Sequence, residues 1–127
     1  MRPLENIRIL DITVAAAGPY GTMLLADWGA EVIRVESTKH FPAVTRGNLA
    51  RPSPQTAGLQ QPGFFSYPND IPGPRPWNRL AGFHAHSRNK LSMTVDLTRP
   101  AGQGILERLV RISDGLVENN VPVSMER

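Results

Sequence analysis

The stretch AAAGPYGTMLLADWGAEVIRVE, residues 15–36, decides the fold of this chain. Three alanines precede Gly18 and Pro19, an apolar run follows, and Gly29 separates that run from a β-rich segment that ends at Glu36. Such a joint of small residues between two regular elements belongs either to a nucleotide-binding turn or to any close contact between a helix and a sheet. The elements on either side of the joint show what it connects.

The apolar run predicts a helix over residues 19–28. Pro19 favours a helix start because its φ is fixed and it has no N–H to leave unbonded in the first turn. Gly29 stands where a left-handed C-terminal cap is expected. Residues 31–36 then predict a strand. The apolar positions of the helix are Tyr20, Met23, Leu24 and Trp28.

A strand is also predicted upstream of the joint, over residues 7–13. Its apolar residues are interrupted only by Arg8 and Asp11, which is typical of a strand buried on both faces of a parallel sheet. Residues 7–36 therefore predict a βαβ unit with a right-handed crossover.

The same order returns near the other end of the sequence and predicts a second βαβ unit over residues 91–120. Apolar and polar residues alternate from Leu91 to Leu97, which indicates a strand with one buried face. Pro100 opens a helix whose apolar stripe includes Ile105 and Leu109, and we expect Gly115 to end it. A short strand over residues 116–119 completes the unit.

The predicted fold is therefore α/β, a Rossmann-like parallel sheet built from two βαβ units with a long proline-rich connection. Eight of the 12 prolines lie in that connection, residues 37–90, which excludes a long helix or a central strand across most of it. We expect the connection to be a loop over a ligand or a segment that packs against further protein. Residues 48–82 have the character of an insertion.

Composition limits the function classes. With 127 residues the chain is expected to form one domain, and the absence of cysteine excludes disulfides and thiolate metal sites. No apolar run is long enough to cross a membrane and the N-terminus has no signal-peptide core, so a cytoplasmic protein is expected. The net charge of +3 is carried by scattered basic residues, which argues against a nucleic-acid partner.

The joint itself carries Ala16-x-Gly18-x-x-Gly21, one substitution away from the dinucleotide fingerprint, and Glu36 ends the next strand where a ribose-binding acid would stand. Pro19 argues against a pyrophosphate because it removes an N–H donor at the helix start. From the pattern alone, close packing of the helix and an anionic ligand both remain open.

A histidine pair and a proline repeat lie in the second half of the connection. His84-x-His86 would place two imidazoles on one side of an extended segment, but no third metal ligand is evident, so no metal site is predicted. Pro72-x-Pro74-x-Pro76 is expected to be a rigid surface loop, with a polyproline ligand for a partner domain as the alternative.

Three segments, in order, resemble one family. PLENIRILDITVAAAGPYGTMLLADWGAEVIRVE (3–36), SRNKLSMTVDLTRPAGQGILERLV (87–110) and GLVENNVPVSMER (115–127) are similar to motifs of the family III CoA-transferases of the CaiB/BaiF type. That group includes formyl-CoA transferase, carnitine CoA-transferase and α-methylacyl-CoA racemase. The resemblance covers nearly the whole chain apart from the proline-rich middle.

The resemblance implies that CoA lies along the C-terminal ends of the strands, as a substrate and not as a tightly bound cofactor. It implies that the opening loop approaches CoA through its backbone, and that Asn119 and Arg127 lie near CoA, with Arg127 suited to a phosphate by its charge. It also implies that the pair Asn89-Lys90 and the segment Thr45-Arg46-Gly47 match motifs of the family. The predicted CoA-binding residues are Val14, Ala15, Ala16, Ala17, Arg46, Asn89, Lys90, Asn119 and Arg127.

For catalysis, the resemblance implies an aspartate nucleophile that exchanges CoA between carboxylic acids, in a segment beyond Arg127. No catalytic residue is therefore predicted in this chain, which we expect to be the N-terminal part of an enzyme whose whole form is an interlocked homodimer. The expected partners are acyl-CoA and a carboxylic acid. The alternatives are a fragment of an α-methylacyl-CoA racemase, a dinucleotide-binding domain of an oxidoreductase, and an interaction module that uses the proline-rich loop.

Overall fold

The computed structural model describes residues 1–37, 53, 55–56 and 66–120. Within these residues the chain forms four strands and three α-helices. The strands are β1 (Arg8–Asp11), β2 (Glu31–Glu36), β3 (Lys90–Thr94) and β4 (Gly115–Val117). The helices are α1 (Ala17–Asp27), α2 (Ala81–Ser87) and α3 (Pro100–Arg111). Among the described helices, none is long and apolar enough to cross a membrane.

All four strands form one parallel sheet in the order β3-β2-β1-β4. Asp11 of β1 lies opposite Arg34 of β2, which lies opposite Ser92 of β3, and Asp11 also lies opposite Val117 of β4. The two predicted strand-helix-strand units therefore share a single sheet, and the predicted α/β fold is confirmed.

The first unit follows its prediction closely. Helix α1 begins two residues earlier than predicted and ends at Asp27, and β2 has the predicted bounds. Gly29 takes a φ of 108° and its N–H bonds to the carbonyl of Ala26, so it is the left-handed cap that the sequence predicted. A core of Ala26, Ala30 and Val32 forms where α1 packs on the sheet.

Strand β1 is shorter than predicted, but its burial is as expected: Leu10 and Asp11 are both 0% exposed, one on each face.

Two predicted details of the second βαβ unit were wrong. Gly115 begins β4 and does not end α3. Leu91 is 56% exposed, because β3 is an edge strand and its predicted buried face is only partly covered.

The described end of the proline-rich connection contains structure that the sequence did not predict. Two 3₁₀ turns, Pro68–Asp70 and Pro76–Asn78, precede α2, which packs against α1. Tyr67 and Leu80 form a small second core there, with Phe83 against it. The last proline of the connection is Pro76, so no proline interrupts the segment from Ala81 to Ser87, which is therefore free to form a helix.

The order of the strands defines where a ligand can bind. From β1 the chain moves to β2 and β3 on one side, and then returns to place β4 on the other side of β1. In open parallel sheets the crevice at the carboxyl ends of the strands, at the point where the order reverses, is the usual ligand site. In this sheet that point lies between β1 and β4.

Candidate functional site

The strand-tip crevice is defined here as the space at the carboxyl ends of β1 and β4. The β1–α1 loop, residues 12–16, forms one side of it, and residues 118–120, which follow β4, form the other. Val14, Ala15, Ala17 and Asn119 are exposed to solvent. The crevice is therefore open to a ligand in the described structure.

Asn119 fixes the middle of the loop. Its Oδ1 accepts a hydrogen bond of 2.8 Å from the N–H of Val14, and its Nδ2 donates one of 3.0 Å to the carbonyl of Val14. The neighbouring Asn120 donates from Nδ2 to the carbonyl of Ile12 at 3.1 Å. Two amide side chains after β4 thus bind the backbone that follows β1.

The backbone around Ala15 has the geometry of an anion-binding turn. Ala15 lies in the left-handed region with φ of 58°, and Ala16 follows in the right-handed region with φ of −115° and ψ of −53°. Such a pair turns successive N–H groups toward one concavity. Helix α1 has no side-chain cap and no acidic residue in its first turn, so its N–H groups are available to a ligand.

Gly18 shows why the joint needs a residue without a side chain. A Cβ on Gly18 would lie 2.5 Å from Cβ of Thr13 and 3.1 Å from Cγ of Asn119. A Cβ on Gly21 would meet nothing within 4 Å. The first glycine therefore serves packing between the loop, α1 and β4, whereas the second does not bring helix and strand together as in the dinucleotide fingerprint.

Glu36 also departs from a ribose-binding role. Its Oε1 accepts a hydrogen bond of 3.2 Å from Nε of Arg34, and its Oε2 accepts one of 2.6 Å from the hydroxyl of Ser92. The side chain is only 8% exposed. Both carboxylate oxygens are thus bonded within the sheet.

Beneath the loop lies a buried ion cluster, composed of Asp11, Thr22, Arg34 and Lys90. Oδ2 of Asp11 accepts hydrogen bonds of 2.7 Å from the hydroxyl of Thr22 and 2.9 Å from Nζ of Lys90, and lies 3.6 Å from Nη1 of Arg34. Oδ1 of Asp11 accepts bonds of 2.9 Å and 2.5 Å from the N–H and hydroxyl of Thr13. The carboxylate therefore joins β1, α1, β2 and β3.

Burial raises the pKa of Asp11, but hydrogen bonds from Thr13, Lys90 and Thr22 and the charge of Lys90 outweigh it, so the pKa lies below its ordinary value. Burial lowers the pKa of Lys90, and the Asp11 carboxylate opposes that change. The Lys90 side chain is 1% exposed. Its ammonium also donates 2.8 Å and 2.7 Å bonds to the carbonyl of Pro19 and the hydroxyl of Thr22.

Arg34 completes the cluster with one atom unbonded. Its side chain is 4% exposed, and its Nη1 is buried without a hydrogen-bond partner among the described residues. Oδ2 of Asp11 lies 3.6 Å from this Nη1 and already accepts bonds from Thr22 and Lys90. Arg34 therefore contributes charge to the cluster more than directed hydrogen bonds.

Asn89 lies at the other end of the sheet. It takes a left-handed φ of 60° just before β3, and its Nδ2 donates a hydrogen bond of 2.8 Å to Asp27 at the end of α1. Arg88 binds the same carboxylate at 2.7 Å, and hydrogen bonding from Arg88 holds the pKa of Asp27 below its ordinary value. This contact ties the start of β3 to the end of α1.

The structure thus brings together five of the predicted CoA-binding residues at the strand-tip crevice: Val14, Ala15, Ala16, Ala17 and Asn119. The side chain of Lys90 lies beneath the loop, where it bonds to Asp11. Asn89 lies at the other end of the sheet, where its side chain bonds to Asp27. Arg46 and Arg127 lie outside the described residues. No role was predicted for Asp11, Thr22 and Arg34, because a polar residue within a strand or helix gives no indication of which distant side chain it meets.

The histidine pair is not a metal site in the described structure. Residues 81–87 form a helix, so His84 points outward while His86 is buried, with its Nδ1 2.8 Å from the carbonyl oxygen of Gly82. The extended segment considered from the sequence is therefore wrong. In the part of the chain that the structure describes, no group of three or more metal-binding side chains is found.

Comparison with known proteins gives one consistent result. A family model described as CoA-transferase family III matches residues 4–127. The chain is 33% identical over 125 residues to succinyl-CoA–D-citramalate CoA-transferase of Chloroflexus aurantiacus, covering 98% of this chain and 25% of that protein. It is 35% identical over 122 residues to mouse succinyl-CoA:glutarate CoA-transferase, covering 96% and 22%.

Among solved structures, a CAIB/BAIF family protein from Brucella suis aligns with a TM-score of 0.70 and 27% identity. That alignment covers 98% of this chain and 28% of the other. The chain therefore spans about a quarter of the length of the curated relatives that it matches, 25% and 22% in the two cases above.

Proposed function

The chain belongs to CoA-transferase family III, and from that premise we propose that it is the CoA-binding N-terminal part of an enzyme that transfers CoA between carboxylic acids. The observation that carries the proposal is the pair of hydrogen bonds between Asn119 and the backbone of Val14, at the point where the strand order reverses. It holds an exposed backbone segment open at the place where parallel sheets bind ligands.

CoA offers phosphate, amide and thioester oxygens that accept hydrogen bonds. We assign the loop from Val14 to Ala17 as the surface on which such groups lie, with Asn119 as a bordering contact. The N–H of Val14 is bonded to Asn119, so the donors offered to CoA are those of Ala15, Ala16 and Ala17. The small side chains allow close approach of the ligand to the backbone, and the left-handed turn at Ala15 directs N–H groups outward.

Arg46 and Arg127 are proposed as cationic contacts to CoA phosphates, in keeping with the preference of guanidinium groups for phosphate. The direct contacts predicted for Asn89 and Lys90 stay predictions. Both side chains are hydrogen bonded within the described structure and would have to leave those partners to reach a ligand.

The reaction needs a nucleophile, and the aspartates of the two βαβ units are already hydrogen bonded within the fold. Asp114 accepts a bond of 2.8 Å from the N–H of Arg8. Asp11 is buried and both of its oxygens accept hydrogen bonds. Asp27 binds Arg88, and Asp96 accepts bonds from the N–H and hydroxyl of Thr98. We therefore propose that the attacking aspartate belongs to a segment beyond Arg127 and forms covalent intermediates with the acyl group and then CoA.

The same CoA surface would serve an α-methylacyl-CoA racemase, which differs in the acid and base groups that meet the acyl chain. A dinucleotide is disfavoured because both carboxylate oxygens of Glu36 are bonded within the sheet, and because Gly21 does not bring helix and strand together as the fingerprint requires. We propose acyl-CoA and a carboxylic acid as the substrates, and an interlocked homodimer as the state of the whole enzyme.

Calorimetric titration with CoA tests the proposal. We expect a measurable heat of binding when CoA is added to the folded protein and no heat of binding when NADH is added. Asn119→Ala is expected to weaken CoA binding about tenfold, because two hydrogen bonds to the loop are lost. Gln103→Ala is the matched control, since it removes an exposed amide that bonds to the carbonyl of Leu97 and not to the β1–α1 loop. A well-folded protein that gives no heat with CoA would contradict the proposal.

A further inference from the structure

Lys90 joins three elements directly beneath the β1–α1 loop. Its ammonium lies 2.9 Å from Oδ2 of Asp11 on β1, 2.8 Å from the carbonyl of Pro19 and 2.7 Å from the hydroxyl of Thr22 on α1. An ammonium has three hydrogens, and all three have an acceptor here. Lys90 itself begins β3.

Two of these bonds hold the start of α1 against the sheet. The carbonyl of Pro19 belongs to the first turn of α1, directly after Gly18, whose position is limited by Thr13 and Asn119. The hydroxyl of Thr22 lies one turn further and also donates to Asp11 at 2.7 Å. Movement of the helix start away from the sheet would break these contacts together.

The third partner fixes the chain on the other side of the loop. Oδ1 of Asp11 accepts bonds from both the N–H and the hydroxyl of Thr13, so the carboxylate orients the residue directly before Val14. The β1–α1 loop is thus held at its beginning by Asp11 and at its end by Lys90. Asn119 holds its middle from β4.

The charges of the cluster explain why the ammonium stays in place. Within the cluster, Asp11 contributes one negative charge and Lys90 and Arg34 contribute two positive charges. Glu36, which pairs with Arg34, adds a second negative charge beside the cluster, and all four side chains are less than a tenth exposed. A buried charge is tolerated when it is paired and hydrogen bonded. The cluster and Glu36 together are balanced without any bound anion.

We infer that Lys90 is a positioning residue, which acts with Asp11 and Thr22 to hold the β1–α1 loop in the shape that receives CoA. That the loop receives CoA rests on the proposed function. That Lys90 holds the loop in its shape does not. A direct contact between Lys90 and CoA would require three hydrogen bonds to be replaced, in a site where the side chain is 1% exposed.

The test uses Thr22→Val, which keeps the shape of the side chain and removes the hydroxyl, and Lys90→Met, which keeps its length and removes the ammonium. Thr94→Val on β3 is the control, since it makes the same change at an exposed position. Amide hydrogen exchange is measured at Val14 and Tyr20, whose N–H groups bond to Asn119 and Ala16, and at Glu31, whose N–H bonds to Ile7 at the other end of the sheet.

We expect Thr22→Val and Lys90→Met to accelerate exchange at Val14 and Tyr20 about tenfold more than at Glu31, and to weaken CoA binding, while Thr94→Val changes neither. Equal acceleration at all three amides, or none, would overturn the inference, as would weaker CoA binding in Lys90→Met with unchanged exchange. Thr22→Val keeps the test valid if Lys90→Met does not fold. Selective acceleration in a protein that binds no CoA would support the positioning role and contradict the proposed function.

Discussion

Gly18 is the residue on which the joint between β1 and α1 depends most directly. Its missing side chain leaves the space that Thr13 fills from the loop and Asn119 fills from the end of β4. Protein interiors are packed too closely to admit an added carbon at such distances without movement of backbone or side chains. The glycine therefore couples the helix start to the residue that we propose borders CoA.

Gly18→Ala is expected to destabilise the protein by about 1–3 kcal/mol, because the new Cβ overlaps Thr13 and Asn119. Gly21→Ala is a matched control in the same helix. It meets open space and is expected to stabilise by about 0.5–1 kcal/mol, because alanine is the better helix former. Urea unfolding measures both changes. Equal effects of the two variants would show that space at Gly18 is not limiting.

The sequence located this joint but left its purpose open between close packing and an anionic ligand. Gly18 is explained by packing, and the turn at Ala15 remains suited to a ligand. The joint thus contains both features: a turn suited to a ligand at Ala15 and a packing glycine at Gly18, three residues later. The sequence could not separate them, since the neighbour that limits Gly18 most from outside the loop, Asn119, is 101 residues away along the chain.

At the scale of elements, long periodic patterns predicted well and context-dependent features did not. Helix α1 and strand β2 lie within two residues of their predicted bounds. Helix α2 was missed because the prolines before it dominated the interpretation of the whole connection. The face of β3 that carries Leu91 was predicted to be buried, but Leu91 is exposed because β3 lies at the edge of the described sheet. The alternation of apolar and polar residues does not reveal where a strand lies in its sheet.

Helix α3 offers a prediction at this scale. A Cβ on Gly102 would lie 2.0 Å from the carbonyl oxygen of Asp96, whereas one on Gly104 meets nothing within 4 Å. The first turn of α3 thus packs on the loop after β3 only because residue 102 has no side chain. Gly102→Ala is expected to lower stability by about 1–3 kcal/mol, and Gly104→Ala to raise it by about 0.5–1 kcal/mol.

Thermal unfolding of the two α3 variants, followed by circular dichroism, measures these changes. Helix propensity alone would raise the melting temperature in both variants. A stabilised Gly102→Ala protein would therefore mean that α3 does not approach Asp96 as closely as described.

For the whole molecule, the sheet order could be predicted only in part. Two strand-helix-strand units were evident from the sequence, but the arrangement β3-β2-β1-β4, and with it the location of the crevice, follows from how the units pair. The buried ion cluster depends on that pairing. Asp11 and Lys90 are 79 residues apart in sequence and lie on strands that both pair with β2, so the long side chain of Lys90 reaches Asp11 across that strand.

The cluster makes the stability of the whole fold depend on pH in a defined direction. The pKa of Asp11 is lower in the folded protein than its ordinary value of 3.8, so between these two values the unfolded chain binds more protons than the folded one. Its contribution to the free energy of unfolding is present above about pH 4 and is lost as the pH falls through the folded pKa.

Asp11→Asn removes this titration. We expect the variant to be less stable than the wild type at pH 7, since Lys90 and Arg34 lose their shared carboxylate. Its free energy of unfolding should also fall less steeply between pH 4 and pH 2, with the difference in slope limited to about 1.4 kcal/mol per pH unit for one proton. Urea unfolding at a series of pH values measures both quantities.

Asp27→Asn is the comparison for the acid series, because it removes a carboxylate whose pKa is also lowered but which pairs with an exposed Arg88 at the outer end of α1. Solvent screens that pair, so we expect a small loss at pH 7 and a smaller change of slope than in Asp11→Asn. If Asp11→Asn kept the slope of the wild type while Asp27→Asn flattened it, the acid sensitivity of the fold would lie in its surface pair. The carboxylate beneath the β1–α1 loop would then not be its source.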